Sequence, residues 1–156
     1  HERAFQLLTQ VAGRAGRRDT PGRVLVQTGN PELFVIEKIL QNDYEGLYEK
    51  ELPERQKFDY PPFTRLIRLT VKHTDELTAE EAAQTLANAL REKLGSRVLG
   101  PEPPLVNRIR NQFLKDILIK LEKENVNLRA VKEQIREEIQ KLLTTKPYRQ
   151  AFVVSD

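Results

Sequence analysis

Residues 64–73, TRLIRLTVKH, strictly alternate: Ile67, Leu69 and Val71 fall on one face, with Arg68, Thr70 and Lys72 on the other. A period of two marks a strand with one buried and one wet face, and the apolar face must be covered by something. The residues that follow supply the cover. Thr78 and Glu81 have capping-box spacing and open a predicted helix carrying Ala83, Leu86, Leu90 and Leu94 as far as Gly95. A short strand at 97–100 precedes the breaker PEPP. Residues 113–121 alternate again, Asn127 can cap a long helix with Leu128, Val131, Ile135, Ile139 and Leu142, and residues 150–156 read as a last strand.

The order β-α-β-β-α-β predicts an α+β domain of the ferredoxin-like type, with two helices on one face of an antiparallel sheet. Its second strand is short, and a mostly looped second crossing stays open. Upstream, FDYPPFTRL (58–66) forces extended geometry at two prolines and reads as a rigid joint. Before it, Asn30-Pro31-Glu32 signals a helix start, continued by Phe34, Ile36, Ile39 and Leu40. Asp43 can cap a second helix to residue 57 with Pro53 as a kink or break. The expected organisation is therefore residues 1–29, a connecting helical pair at 30–59, and an α+β domain at 60–156.

The N-terminal stretch QVAGRAGR (10–17) places two glycines in a segment that otherwise reads as a helix over 3–16. Each interior glycine costs such a helix roughly 1 kcal/mol. In helical phase Gln10, Arg14 and Arg17 share one face, opposite a core face of Leu7, Leu8, Val11, Ala12 and Ala15 with Ala4 and Phe5 nearby. Gly13 and Gly16 flank that core face and would admit a close backbone. The predicted row of one amide and two guanidiniums suits phosphate oxygens. Residues 23–28, RVLVQT, read as a buried parallel strand.

Composition removes several classes of function. There is no cysteine, which excludes disulfides and thiolate metal sites and fits a reducing cytoplasm. The two histidines have no companion at ligand spacing, no apolar run is long enough to span a membrane, and the opening residues show no signal-peptide pattern. A net charge of +3 permits nucleic acid as a partner without requiring it. The chain also lacks methionine, a G-x-x-x-x-G-K-[ST] phosphate loop and an acidic magnesium box. It is expected to be the C-terminal piece of a longer protein, and by itself inactive toward ATP.

QVAGRAGR resembles the sixth motif of superfamily-two helicases, Q-x-x-G-R-x-G-R, at all five fixed positions: Gln10, Gly13, Arg14, Gly16 and Arg17. That resemblance implies a second RecA-like lobe facing bound nucleotide, with Arg14 and Arg17 at the γ-phosphate, Arg17 as arginine finger and Gln10 assisting. With GRVLVQT, NPE, YPPFTRL and VLGPEPP added, the chain resembles, almost end to end, the C-terminal third of the primosomal protein N′ family of bacterial replication-restart helicases. The resemblance implies an ATP-dependent 3′-to-5′ DNA helicase that recognises stalled forks and initiates primosome assembly. It implies ATP with Mg in the full-length protein, zinc only in an upstream region outside this chain, and forked or single-stranded DNA and primosome proteins as partners.

For DNA, the basic segment NRIRNQF (107–113) is the first candidate. If extended, it projects Arg108 and Arg110 to one side, and Arg65, Arg68, Lys115 and Lys120 from the flanking strands extend the basic surface. The family resembled often has more aromatics in this run, so contacts are expected mainly to phosphate. Two other readings stay open. One is a helical hairpin with a ferredoxin-like module that binds nucleic acid or protein without catalysis. The other is an RNA helicase tail, against which YPPF and LGPEPP argue.

Overall fold

The computed structural model describes residues 2–17 and 20–156, those at 16, 17, 20 and 21 in backbone only. The chain divides into two compact units, residues 1–58 and 59–156.

In the first unit, helix α1 spans Glu2–Ala12, α2 Phe34–Gln41 and α3 Tyr44–Lys57. Phe5, Val35 and Leu47 form a small shared core, and the Phe5 ring tilts against Tyr44 with centroids 5.5 Å apart. Arg55 on α3 reaches Glu2 of α1 at 3.1 Å and Glu51 at 2.6 Å. Asp43 caps α3 as its sequence position suggests, accepting the Gly46 N–H at 2.8 Å. The helix then continues through Pro53 rather than breaking there. The start of α2 differs from the expected Asn30. The Asn30 side chain accepts the Glu32 N–H in a local turn at 3.2 Å, and regular helix begins only at Phe34.

Three further expectations for this unit are corrected. Helix α1 ends at Ala12, not at residue 16. Gly13 donates one more helical bond, from its N–H to the Thr9 carbonyl at 2.9 Å, and the N–H groups of Arg14 and Ala15 then close tighter turns onto the Val11 and Ala12 carbonyls, each at 3.1 Å. The two glycines thus end the helix, and Gly16–Arg17 (β1) pairs antiparallel with Thr20–Pro21 (β2). Residues 23–28 form no strand, and Leu25 is fully exposed. A buried parallel strand needs neighbours, and the described part of this unit has only the two-residue pair β1–β2. Of the expected core face of α1, only Phe5 is buried, while Leu7 and Val11 remain half exposed.

The second unit is α+β. Its elements run β3 (Thr64–His73), α4 (Glu76–Leu94), β4 (Val98–Glu102), β5 (Arg108–Ile109), β6 (Gln112–Glu122), α5 (Leu128–Thr144) and β7 (Phe152–Ser155). All pairings are antiparallel, in the order β4-β6-β3-β7, with β5 also on β6. Leu69 and Val71 of β3, Ile117, Ile119 and Leu121 of β6, and Val98 of β4 pack with Ala82, Ala83, Leu86 and Leu90 of α4 and Val131, Ile135 and Leu142 of α5. Most of these side chains are excluded from water, and burying each Leu or Ile contributes about 1.5–3 kcal/mol.

The caps decide where the helices begin. Asp75, not Thr78, is the N-cap of α4: its carboxylate accepts the Thr78 N–H at 2.8 Å and the Thr78 hydroxyl at 2.7 Å. These bonds hold the Asp75 carboxyl below the usual carboxylate range, the hydroxyl contributing most. Gly95 ends α4 at φ 64°, a left-handed value that glycine adopts without strain. Asn127 caps α5 through the Arg129 and Ala130 N–H groups, as its position suggests.

Candidate nucleic-acid interface and arginine motif

Because α4 and α5 both pack on one face of the sheet, the other face carries no helix of this unit among the described residues, and the strand registers settle which residues it holds. Thr70 pairs with Asp116 and Val154, and Lys72 with Leu114 and Phe152, so these six share the open face. Arg68 pairs with Leu118, and Leu66 with Lys120, on the same side. The Thr70 hydroxyl donates to Asp116 at 2.6 Å, and Arg68 meets Asp156 at 2.8 Å. That hydrogen bond holds the Arg68 guanidinium above its ordinary pKa and fixes its charge. The Lys120 ammonium lies 4.3 Å from the centroid of the Tyr60 ring.

Arg65 and Lys115 lie on the opposite, helix-bearing face. Arg65 pairs with buried Leu121, and Lys115 with buried Val71 and in an ion pair with Glu80 of α4. The expected single basic surface is therefore corrected. A one-residue step along a strand reverses the face, so Arg65 and Arg68 point apart, as do Lys115 and Lys120. Arg65 instead borders a groove of about 590 Å³ between β3 and α5, with Ile67, Ile135 and Ile139 in its floor and Lys132 and Arg136 at its rim. Lys72 and Phe152 were missed as candidates, although the alternation of residues 64–73 already put Lys72 beside Arg68.

Arg108 and Arg110 also part from expectation. The segment is not extended through both. Arg108 pairs with Phe113 and Ile109 with Gln112, which leaves Arg110 and Asn111 as a two-residue turn. Their φ values are 48° and 61°, the left-handed pair that a type I′ hairpin turn requires. Asparagine tolerates this region, whereas an arginine there costs about 1–2 kcal/mol. Arg108 bends back, donating to the Asn111 side chain with its guanidinium 4.8 Å from the Phe113 ring centroid. Both arginines are exposed, and neither is in an ion pair among the described residues.

In the arginine motif, Gln10 is exposed on the last turn of α1 and Arg14 is exposed in the turn after it. Arg17 belongs to β1, and its side chain lies outside the described residues. The helical row of three is corrected, because the helix ends at Ala12, five residues before Arg17. Among the described residues, a Cβ at Gly13 would meet the Thr9 and Gln10 carbonyls of its own helix and no backbone from another element. Among the described residues, no cluster of three His, Cys, Asp or Glu side chains is placed to hold a metal ion, and no helix is long and apolar enough to cross a membrane.

Comparison with known proteins bears on most of this chain. The family model described as "Primosomal protein N C-terminal domain" matches residues 56–154. Proteins named "Replication restart protein PriA" are similar over most of the sequence. That of Bacillus subtilis (strain 168) is 35% identical over 144 residues, covering 89% of this chain and 18% of its own length. Those of Synechocystis sp. (strain ATCC 27184 / PCC 6803 / Kazusa) and Thermotoga maritima are 40% and 36% identical, each covering about three quarters of this chain and 15% and 16% of the relative. The chain thus spans less than a fifth of the length of these relatives. By the extent of the domain match, it belongs to the primosomal protein N C-terminal domain family.

Proposed function

We propose that this chain is the C-terminal part of an ATP-dependent 3′-to-5′ DNA helicase that recognises stalled replication forks and initiates primosome assembly in replication restart. One observation carries the reading: Q-x-x-G-R-x-G-R at residues 10–17 stands upstream of the primosomal domain at 56–154 in the same chain. Its relatives' name, replication restart protein, supports the same process. In this reading the residues before 30 close a RecA-like lobe. The half-exposed Leu7 and Val11 and the fully exposed Leu25 support it, since apolar side chains of that size find cover in the rest of such a lobe. The second unit is ferredoxin-like, supported by the order β4-β6-β3-β7 with both helices on one face.

Chemically, Arg17 is the arginine finger, stabilising the charge that develops on the transferring γ-phosphoryl group, with Gln10 and Arg14 positioning phosphate oxygens. ATP with Mg²⁺ is the substrate of the full-length protein, and zinc belongs to its upstream region. The protein works in the cytoplasm with DNA and primosome proteins as partners. Arg108 and Arg110 on the hairpin, with Arg68 and Lys120 on the open face, take DNA phosphates. Arg65 and Lys115 are secondary, since they lie on the other face.

ATP turnover by the full-length protein, with and without forked DNA, tests this. Arg17→Ala lowers turnover by roughly 10³-fold or more. Arg17→Lys restores little, because an ammonium lacks the guanidinium fork. DNA affinity without nucleotide stays the same. Near-normal turnover in the lysine variant makes Arg17 a generic charge, and unchanged turnover in the alanine variant favours a non-catalytic binding module.

A further inference from the structure

We infer that the β5–β6 hairpin is a wedge for the junction between duplex and single-stranded DNA, with Ile109 packing on an exposed base face while Arg108 and Arg110 hold the flanking phosphates. The inference rests on the DNA-binding reading above and adds to it a named apolar contact.

Four observations converge on this loop. First, Ile109 is half exposed at the tip of the ribbon, one residue from the turn, with a guanidinium on either side in sequence. Second, residues 103–114 contain both arginines and no acidic residue, and Leu105 and Val106 ahead of the hairpin are exposed as well. Exposed apolar groups amid uncompensated positive charge match a ligand with a π-face and an anionic backbone. Third, the loop is braced rather than slack. The Leu114 N–H donates to the Asn107 carbonyl at 2.8 Å, Arg108 donates to Asn111, and the Phe113 ring lies against Arg108. A wedge must hold its shape to unstack a base, and a two-stranded ribbon is narrow enough to enter a DNA groove. Fourth, Arg110 occupies a left-handed position where glycine or asparagine would be relaxed, so charge at the tip is kept against backbone preference. An acidic protein surface is the rival occupant. It would account for the arginines but gives no use for an isoleucine set between them at the tip.

The test uses the 156-residue chain and a DNA fork carrying 2-aminopurine at the last paired position. Saturating wild-type chain raises the fluorescence about twofold or more as the base unstacks. Ile109→Ser removes most of that rise, with Kd changed by no more than about threefold, while Ile109→Leu retains it. Replacing Arg108 and Arg110 together by Ala weakens binding and flattens the salt dependence by up to about two units of slope. Circular dichroism melts show that each variant is folded. A full fluorescence rise in Ile109→Ser overturns the wedge while leaving DNA binding intact. Failure of the wild-type chain to bind the fork at all removes the DNA-binding reading itself. If none of the three hairpin substitutions alters any DNA readout, the loop is a protein-contact surface instead.

Discussion

Gly100 sits at φ 88°, and a Cβ built there would stand 2.7 Å from the Asp116 carbonyl oxygen on the neighbouring strand. Here the register between β4 and β6 slips, between Leu99 and Glu102, and the freed Gly100 carbonyl accepts a bond from Arg91 of α4. Only glycine meets both demands, left-handed backbone and close approach. Gly100→Ala is therefore expected to lower stability by about 1–3 kcal/mol. In urea unfolding this moves the midpoint down with the slope unchanged. In the sequence, Leu99-Gly100-Pro101 reads only as a family marker, because the reason for its glycine is a carbonyl contributed by a strand sixteen residues on. Caps were more legible, since a cap is a local bond. Asp43 and Asn127 stand where their sequence positions place them. Asp75 and Thr78 are both competent caps, and the carboxylate prevails by accepting from the Thr78 N–H and hydroxyl together.

Among the elements, the contact between α4 and α5 carries a pH signature. Glu138 of α5 is buried and accepts from Lys141 at 2.8 Å, while Lys93 of α4 reaches the same oxygen at 2.7 Å. These bonds, that to Lys141 foremost, hold its carboxyl below the usual carboxylate range. A depressed folded-state pKa gives stability that is present above the unfolded value and lost as pH falls through the folded one. Glu138→Gln should therefore melt about 4–8 °C below wild type near neutral pH, the shift that ~1 kcal/mol gives in a domain of this size. The gap should close on acidification through the carboxylate range, and a constant gap in melts across that range would assign the loss to packing alone. Strands and helices of the second unit were legible because period and caps agree. The hairpin of β5 was not, since a two-residue strand has no period and Arg-Asn is not a usual turn pair. Helix α1 was overextended because the apolar spacing continues after the glycines have already ended the helix.

Over the whole molecule, burial is uneven. The unit at 59–156 encloses a core drawn from every layer of its own sheet and helices, whereas the first unit buries three large side chains among its described residues. Residues 59–156 expressed alone should therefore unfold cooperatively with a melting temperature within a few degrees of the same unit in the longer chain. Loss of cooperativity in calorimetry would show that its core depends on residues before 59. The site was legible in kind but only partly in arrangement: the alternation of residues 64–73 already sets Arg65 and Arg68 on opposite faces, while the neighbours each meets on the adjoining strands depend on register, which no single strand reveals. The same register sets a timetable for synthesis. The central strand β3 pairs along one edge with β7, the final strand, roughly eighty residues later in translation. While the ribosome makes the intervening chain, that edge of β3 has no partner, and the nascent domain can close its sheet only after residues 152–155 have left the exit tunnel.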